Sequence, residues 1–447
     1  MTTAPGAAAL PLAHVLPVTA EVNAAGHLAV GGCDLRDLAD RFGTPLYVYD
    51  TATVRQELHR YRDAFTSAYP DSEVVYASKA FLNRPFARFV ASEGFGFDAV
   101  SGGEIATLRA AGVDLGRVYL HGNNKTPEEL RLAVTSGVGR IVIDGEWEVD
   151  LLEGIAAEAG VVQRVLIRVS PGIDGHTHEK TTTGILDSKF GMPIVTGAAE
   201  RAVRAVVASP HLEFRGIHMH LGSPIFEMEP YGAAVEVMAQ FIDEVCRQKI
   251  GVEVPEFSPG GGFAVAYRDE QQAPAYTEYA NVIATTLKRE ADARGFALPH
   301  MTVEPGRSIV ARAGMAVYTV GARKEVPGIR TYVSVDGGMA DNPRVALYGS
   351  QYEAVLPDRP FAPNEEVVTI AGKFCESGDI LIKDIALPRL RAGELLAMPA
   401  AGAYQVAMES NYNLALRPAV VMVENGQARL IRRRQTYEDL GALDVDE

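Results

Sequence analysis

The feature that most constrains the fold is an alternation of eight β-rich runs with helix-patterned segments between residues 74 and 307. Amphipathic segments such as TPEELRLAVTSG and ANVIATTLKREADARG separate the runs, and several end in Gly, which favours a helix C-cap. Parallel strands need crossover connections, so this alternation predicts a parallel sheet. Eight such units in succession predict a closed (β/α)8 barrel. The runs begin at Val74, Gly96, Val118, Arg140, Val165, Phe214, Glu256 and Met301.

The pattern changes after about residue 313. Segments such as MAVYTVGARKE and RTYVSVDGG have the character of strands joined by turns, and ENG between two apolar runs predicts a hairpin. The early stretch 27–50 is also partly β-like. We therefore predict a flexible tail at 1–24, a barrel at 49–313, and a second, mainly antiparallel β-barrel domain formed by 25–48 and 314–447.

Composition excludes several classes of function. The 447 residues carry a formal net charge of −15, which disfavours nucleic acid and anionic membranes as partners. No run of about 18 apolar residues predicts a membrane span, and the Ala/Pro-rich N-terminus lacks the pattern of a signal peptide. The three cysteines, Cys33, Cys246 and Cys375, are far apart and odd in number, which predicts reduced thiols in a cytoplasmic protein.

Polar side chains gather where the predicted barrel strands end. Functional residues of a parallel barrel collect at these C-terminal strand ends. A barrel with a purely structural role would not require so polar and diverse a set. The residues at these ends are Lys79, Asp98, His121, Asn123, Arg168, His218, His220, Gly260, Gly261, Gly262, Glu304 and Arg307.

Three of these signals indicate specific chemistry, and each has a simpler structural alternative. Lys79 lies in the apolar run VVYASKAF and is either a solvated strand-end lysine or a desolvated amine suited to a Schiff base with an aldehyde cofactor. The glycines of SPGGG are either a turn or, beside Ser223 and Arg307, an anion cradle. Glu304 is either an ion-pair partner or a carboxylate that keeps a heteroaromatic nitrogen protonated.

The histidines raise the question of a metal. His218 and His220 in GIHMHLGSP share one face of a strand, and DGHTH adds His176 and His178. No carboxylate–histidine framework with convincing metal spacing accompanies them. We therefore expect neutral core or stacking histidines and no metal.

Taken together, these motifs resemble the fold-type III pyridoxal-phosphate decarboxylases. The resemblance covers roughly residues 25–435 and depends on the order and combination of separated motifs. These motifs are YASKAF, HTHEKTTTGILDSKFG, HMHLGS, GGGFAVAY, EPGR, DGGMADNPRVALYG, CESGD and GAYQVAMESNYN.

The resemblance implies pyridoxal 5′-phosphate as cofactor and a role for each matching residue. Lys79 is expected to carry the cofactor, His220 to stack on its ring, and Glu304 to pair with the ring nitrogen. Cys375 is the expected proton donor, which completes a catalytic set of Lys79, His220, Glu304 and Cys375. The other expected cofactor-binding residues are Asp98, Ser223, Gly261, Gly262, Gly306, Arg307 and Tyr404. The expected substrate-binding residues are Arg307, Arg344, Tyr348, Glu376 and Tyr404.

The resemblance also implies a reaction and a partner. The expected reaction is decarboxylation of meso-2,6-diaminopimelate at its D-centre to L-lysine and CO2, the last step of bacterial lysine synthesis. Cys375 and Glu376 are expected to reach the partner subunit's barrel, which implies a homodimer with shared active sites. The alternatives are a decarboxylase of the same fold for ornithine, arginine or a carboxylated polyamine, a catalytically silent binding protein, and a metal-dependent barrel hydrolase.

Overall fold

The computed structural model describes residues 10–175, 182–184 and 187–445, which form two compact units. The β unit contains the described residues of 1–57, 265–272 and 309–447, and the barrel unit contains those of 58–264 and 273–308. Compact units and independently folding domains are different properties, so the domain boundaries at 49 and 313 stay a prediction.

The strands alternate with helices through the barrel unit and follow one another more directly in the β unit. They are β1 (Glu21–Val22), β2 (Leu28–Val30), β3 (Cys33–Asp34), β4 (Leu46–Asp50), β5 (Ser72–Ala77), β6 (Gly96–Ala99), β7 (Val118–Leu120), β8 (Arg140–Ile143), β9 (Gln163–Ser170), β10 (Met192–Pro193), β11 (Leu212–His218), β12 (Glu256–Gly260), β13 (His300–Val303), β14 (Gly314–Val326), β15 (Arg330–Val335), β16 (Glu366–Ala371), β17 (Ile380–Leu387), β18 (Leu395–Met398), β19 (Ala419–Glu424) and β20 (Gln427–Arg432).

The α-helices are α1 (Leu35–Phe42), α2 (Thr51–Ala68), α3 (Arg84–Ser92), α4 (Gly102–Ala110), α5 (Pro127–Thr135), α6 (Glu146–Ala159), α7 (Ala198–Ala208), α8 (Glu229–Gln240), α9 (Tyr276–Arg294), α10 (Arg307–Val310), α11 (Arg344–Tyr348) and α12 (Tyr437–Leu440). A π-helical segment, Phe241–Ile250, continues α8.

Local sequence explains where several of these helices begin and end. At the start of α5, Thr126 and Glu129 form a capping box and Pro127 occupies the first turn. The glycines Gly160 and Gly295 end α6 and α9 in left-handed conformation.

The barrel is a closed parallel ring, as the sequence predicts. Each of the eight predicted runs forms a strand, and the order around the ring is β5, β6, β7, β8, β9, β11, β12, β13 and back to β5. The closing register pairs Thr302 of β13 with Glu73 of β5. Val75, Tyr119, Val142 and Leu166, from four different strands, form a buried cluster. The ring therefore has a packed core, and its C-terminal rim is the place for a site.

The β unit contains an eight-stranded sheet that is mainly antiparallel, as predicted. Its described pairings run from β17 through β16, β15, β14, β4 and β19 to β20, and β18 branches from β14. The β15–β16 and β4–β19 pairs are parallel. The predicted ENG hairpin joins β19 to β20, with Asn425 and Gly426 both at positive φ.

The stretch predicted to be a flexible tail is partly packed. Val15 and Leu16 are fully buried, and Glu21–Val22 pairs with Leu28–Val30 in a small sheet. The residues of that stretch before 10 lie outside the described part of the chain. Within the described part, no helix is long and apolar enough to cross a bilayer.

The N-terminal end of the barrel contains a buried carboxylate between two arginines. Glu256 is 4% exposed and accepts hydrogen bonds from Arg140 and Arg215, at 2.6 Å and 2.9 Å. These three residues begin or lie in β12, β8 and β11, so one side chain holds three strands together. The two arginines hold the pKa of the carboxyl group below its usual range, against the effect of burial, which raises it.

Replacing this carboxylate, Glu256→Ala, should destabilise the barrel by about 3 kcal/mol, because it leaves two partly buried guanidinium groups without their shared anion. The midpoint of thermal unfolding should fall. Glu213→Ala is the matched control, since Glu213 also contacts Arg215 but is 41% exposed. Its loss should lower the free energy of unfolding by less than about 1 kcal/mol. Equal effects of the two substitutions would contradict this account.

Candidate active site

Lys79 stands at the C-terminal rim with a buried carboxylate beside it. It lies in a single 3₁₀ turn, Ser78–Ala80, directly after β5. Its Nζ donates a hydrogen bond of 3.2 Å to Oδ2 of Asp98, which is 1% exposed near the end of the neighbouring strand β6. The amine therefore has a fixed direction, and the contact places the predicted cofactor lysine beside a predicted cofactor-binding residue.

A second buried carboxylate, Glu304, follows β13 and lies among two histidines and a serine. His218 Nε2 lies 3.1 Å from Glu304 Oε2, and Ser258 Oγ donates to Oε1 at 2.8 Å. His121 Nε2 lies 3.5 Å from Oε1. Burial raises the pKa of Glu304, but His218 and His121 outweigh that effect and lower it to about 2. The carboxylate is therefore ionised at neutral pH.

His121 also approaches Asp98, so the two carboxylates belong to one polar cluster. Its Nε2 lies 3.9 Å from Asp98 Oδ1, and its ring lies 4.8 Å from the His218 ring in an edge-on arrangement. Burial lowers the pKa of His121 well below the usual range, so this imidazole is neutral. His121 thereby stands between the carboxylate that holds Lys79 and the carboxylate of Glu304.

His220 turns away from this cluster towards the glycine loop. Its Nδ1 accepts a hydrogen bond from the backbone N–H of Gly261, at 3.2 Å, and burial keeps its pKa well below the usual range. His218 and His220 thus have different partners and do not form a ligand pair with each other. His176 and His178, the other histidines considered for a metal, lie outside the described residues.

The ligand atoms of His121, His218 and Glu304 lie within 4.8 Å of one another. Two imidazoles and one carboxylate form a set that can bind a divalent transition metal. The sequence spacing gives no sign of this set, because its members lie at the ends of three different strands.

The glycine loop leaves room only for backbone. A methyl group added at Gly261 would lie 2.2 Å from the backbone oxygen of Glu304, and one at Gly262 would lie 2.2 Å from that of Gly222. Gly262 also has φ +100°, which L-residues rarely adopt. At Gly306 the added methyl group would lie 2.8 Å from Cβ of Ala77. These glycines form a cradle that side chains would fill.

Two polar side chains adjoin the cradle. Arg307, which is 7% exposed, donates from Nε to Oγ of Ser223 at 3.1 Å. Both groups suit a phosphate or a carboxylate, which accepts hydrogen bonds from guanidinium and hydroxyl groups.

A chain of buried charges supports the rim from one side. Arg168 contacts Asp144 at 3.3 Å and lies over the ring of Phe190. Lys125 and Glu148 form a further buried pair at 2.6 Å, and Glu148 accepts from the backbone N–H of Asp144 at 3.0 Å. The sequence analysis places Arg168 at the rim but does not identify this network. The members are far apart in sequence, and a buried lysine in a loop gives no periodic signal.

In the β unit, Arg344 is held rigidly between two tyrosines. It is 6% exposed, and its Nη1 donates to the hydroxyl groups of Tyr267 and Tyr352, at 3.0 Å and 2.9 Å. Its guanidinium carbon also lies 5.0 Å from the centre of the Tyr267 ring. Tyr348 is half-buried at the other end of the same short helix, and Tyr404 has positive φ. Tyr267 and Tyr352 do not figure in the sequence analysis.

Cys375 and Glu376 are exposed on a turn whose base is buried. Asp379, only 3% exposed, accepts hydrogen bonds from the backbone N–H groups of Met339 and Phe374, at 2.7 Å and 2.8 Å. The backbone N–H of Cys375 donates to the side-chain oxygen of Asn413 at 3.0 Å. The turn therefore presents a thiol and a carboxylate to solvent on a fixed backbone.

The predicted site residues thus divide between the two units. At the barrel rim lie Lys79, Asp98, His220, Ser223, Gly261, Gly262, Glu304, Gly306 and Arg307, while Arg344, Tyr348, Cys375, Glu376 and Tyr404 lie in the β unit. Their individual roles stay predictions. The sequence analysis missed Ser258 as a partner of Glu304, although its place inside the run EFSPGGG puts it on a barrel strand.

The chain is similar along nearly its whole length to proteins of one family. The family described as "Pyridoxal-dependent decarboxylase, pyridoxal binding domain" matches residues 52–311. Diaminopimelate decarboxylase of Bacillus subtilis (strain 168) is 45% identical over 427 residues, which cover 96% of this chain and 97% of that protein. Diaminopimelate decarboxylase of Mycobacterium tuberculosis (strain CDC 1551 / Oshkosh) is 40% identical over 444 residues, with 97% and 98% covered.

A solved structure gives the same result. The crystal structure of diaminopimelate decarboxylase from M. jannaschii in complex with L-lysine superposes with a TM-score of 0.90 at 32% identity, covering 96% of this chain and 98% of that one. The likeness confirms the predicted barrel with its second β unit, and the family match confirms pyridoxal phosphate as the cofactor. The chain belongs to the pyridoxal-dependent decarboxylases and, within them, to the diaminopimelate decarboxylase family.

Proposed function

We propose that this chain decarboxylates meso-2,6-diaminopimelate at its D-centre, giving L-lysine and CO2, at the rim of its barrel. The observation that carries the proposal is the arrangement of Lys79 and the ionised Glu304 in one buried polar cluster beside a cradle of glycines. The named relatives and the lysine-bound structure support the choice of substrate.

The rim residues fit pyridoxal phosphate. Gly261 and Gly262 leave no room for side chains, so the loop backbone can approach a phosphate closely, and Arg307 adds a positive charge. Asp98 Oδ1, His121 Nε2 and His218 Nδ1 are buried polar atoms without a hydrogen-bond partner among the described residues. Such atoms are rare in proteins unless a ligand or water satisfies them.

Each rim residue is assigned to one part of the cofactor. Lys79 holds the aldehyde carbon, Asp98 orients the Lys79 amine, and His220 covers one ring face. Glu304 holds a proton on the ring nitrogen, since an ionised carboxylate can only accept. The phosphate is assigned to Ser223, Gly261, Gly262, Gly306 and Arg307, with Tyr404 as a further contact. When bound, pyridoxal phosphate supplies the electron-accepting ring that stabilises the carbanion left by CO2.

The substrate has two amino-acid ends, which need different charges. Arg307, Arg344 and Tyr348 are assigned to carboxylate groups, and Tyr404 to the substrate as well. The two hydroxyl contacts of Arg344 reduce the conformational entropy that its guanidinium would lose on binding a carboxylate. Glu376 is assigned to the distal ammonium group. After CO2 leaves, the same carbon must regain a proton, and Cys375 is assigned as its donor.

We further propose that the protein acts as a homodimer in the cytoplasm. The exposed turn with Cys375 and Glu376 would reach the barrel of the partner subunit, so each site would need both copies. The described structure leaves both side chains exposed on a fixed turn, as this role requires. The three free thiols are consistent with a reducing compartment.

Lys79→Ala should abolish covalent attachment of the cofactor. The absorption band that pyridoxal phosphate gains on bonding to a lysine should appear in the wild-type protein and be absent from the variant. Lys249→Ala is the control, because Lys249 is exposed and pairs with Glu200 on the barrel surface. Retention of the band in Lys79→Ala would contradict the assignment of Lys79 as the residue that binds the cofactor covalently.

Gly261→Ala should weaken cofactor binding, because its methyl group would overlap the Glu304 backbone oxygen. Fitting an extra methyl group into a packed site costs about 1–3 kcal/mol. If this cost falls on the cofactor-bound state, the Kd for pyridoxal phosphate rises roughly 5- to 150-fold. Kd is measured by absorbance titration of apoprotein with pyridoxal phosphate. Gly103→Ala is the control, since a methyl group there meets only the Ser101 hydroxyl at 3.7 Å. An unchanged Kd in Gly261→Ala would show that the cradle does not hold the cofactor.

Cys375→Ala should lower kcat by about 100-fold or more while leaving cofactor affinity unchanged, because it removes only a proton donor. The measurement is CO2 release from meso-diaminopimelate, with Ser377→Ala on the same exposed turn as the control. A parallel loss of cofactor binding would argue against proton donation.

Mixing the Cys375→Ala and Lys79→Ala proteins, each of which is expected to have strongly reduced activity, tests the shared site. Subunit exchange should restore activity, because a mixed dimer contains one site with both native residues. Persistent inactivity of mixtures shown to contain mixed dimers would contradict sharing across the interface.

A further inference from the structure

The Glu304 carboxylate has an unusual set of partners for a buried anion. Its hydrogen bonds come from His218, the last residue of β11, and Ser258 in the middle of β12, and His121 after β7 approaches to 3.5 Å. All four side chains are nine-tenths or more buried. Since the ionised carboxylate can only accept, His218 must carry its proton on Nε2.

None of the ion pairs among the described residues joins Glu304 to a lysine or an arginine. Its two ion-pair distances are both to histidines, and His121 is neutral. Glu148 in the same unit shows the contrast, because Lys125 binds it directly at 2.6 Å. A buried anion needs hydrogen bonds or a counter-charge. At Glu304 the described partners are histidine and serine side chains, and neither a lysine nor an arginine forms an ion pair with it.

The other charged groups facing this cluster already have partners. Lys79 contacts Asp98 at 3.2 Å, and Arg168 contacts Asp144 at 3.3 Å. Asp98 raises the pKa of Glu304 by repulsion, and this effect is smaller than the lowering by His218 and His121. The side chains nearest to the Glu304 carboxylate are therefore His218, Ser258 and His121.

We propose that His218 and Ser258, with His121, are positioning residues that hold the Glu304 carboxylate in the orientation that meets the cofactor ring nitrogen. The inference rests on the proposed function and extends it to three residues that the site assignment does not include. His218 is the principal member, because it alone combines a direct hydrogen bond with a favourable charge interaction. A protonated ring nitrogen is then the cation that completes the cluster.

The test compares His218→Leu with His218→Gln in the holoenzyme. Leucine removes the donor, whereas the glutamine amide can still donate a hydrogen bond. His218→Leu should lower kcat for meso-diaminopimelate by about 10- to 100-fold, because it removes a hydrogen bond to a charged group, with little change in KM. His218→Gln should recover most of that loss.

A spectroscopic readout separates positioning from a purely structural role. The absorption band of the bound cofactor is followed as a function of pH, and the midpoint of its change should move in His218→Leu relative to wild type. It should remain near the wild-type midpoint in His218→Gln. His211→Leu is the matched control, because His211 precedes the same strand at its other end and pairs with Glu153 on the surface.

Several outcomes overturn the inference. Equal loss in the Leu and Gln variants would mean that packing, and not donation, is what His218 supplies. Wild-type kcat and pH midpoint in His218→Leu would show that Glu304 needs no such support. If His218→Leu fails to fold, Ser258→Ala serves as the test, since it removes only one oxygen atom. Ser258→Ala should also lower kcat and move the pH midpoint. Unchanged values of both would refute the inference.

A bound metal is the competing explanation for the same three side chains. Elemental analysis of purified wild-type holoenzyme should find no stoichiometric transition metal, and a chelator should not alter the spectrum. A stoichiometric metal lost together with activity would replace this inference. Absence of CO2 release by the wild type would instead contradict the proposed function, and normal release with unaffected His218 and Ser258 variants would contradict only the positioning role.

Discussion

Closure of the barrel by the pairing of β13 with β5 is the constraint on which the site depends. The last strand of the ring lies beside the first, with Thr302 opposite Glu73, and the backbone contact of Ala77 with Pro305 continues this adjacency towards the rim. Lys79 and Glu304 are distant in sequence but follow these two neighbouring strands. The polar cluster can therefore form only when the whole ring is complete. Formation of the site is thus coupled to folding of the barrel.

The two ends of the barrel treat buried charge differently. At the N-terminal end, Glu256 lies between two arginines, and opposite charges balance within the protein. At the C-terminal rim, Glu304 is held by hydrogen bonds with His218 and Ser258 and forms no ion pair with an arginine or a lysine among the described residues. An ion cluster whose charges balance stabilises neighbouring strands but exerts little electrostatic attraction on a charged ligand. An anion held by hydrogen bonds keeps its attraction for a cation, and this difference is what separates a structural end from a binding end.

Much of the fold could be predicted because its signals are local. Each barrel strand is a short apolar run, and each following helix has its own caps, as the capping box of Thr126 illustrates. The rim positions followed from the rule that functional residues occupy the ends of parallel strands. The support of Glu304 by Ser258 could not be predicted, because it depends on which side chains of β12 and β13 face each other. The buried Lys125–Glu148 pair, the π-helical Phe241–Ile250 and the packing of Val15 and Leu16 likewise depend on tertiary contacts. In the β unit, the position of Arg344 depends on a hydrogen bond with Tyr267, which is remote in sequence.

The cradle at Gly261, Gly262 and Gly306 has a consequence for inhibitors. These three residues contribute only main-chain atoms, and at each position even one methyl group would meet another atom within 2.8 Å. Resistance by substitution depends on a tolerated change of side chain, and the three glycines offer no such change. A compound that derived its affinity from the cradle would leave few single substitutions able to exclude it without also excluding the natural occupant.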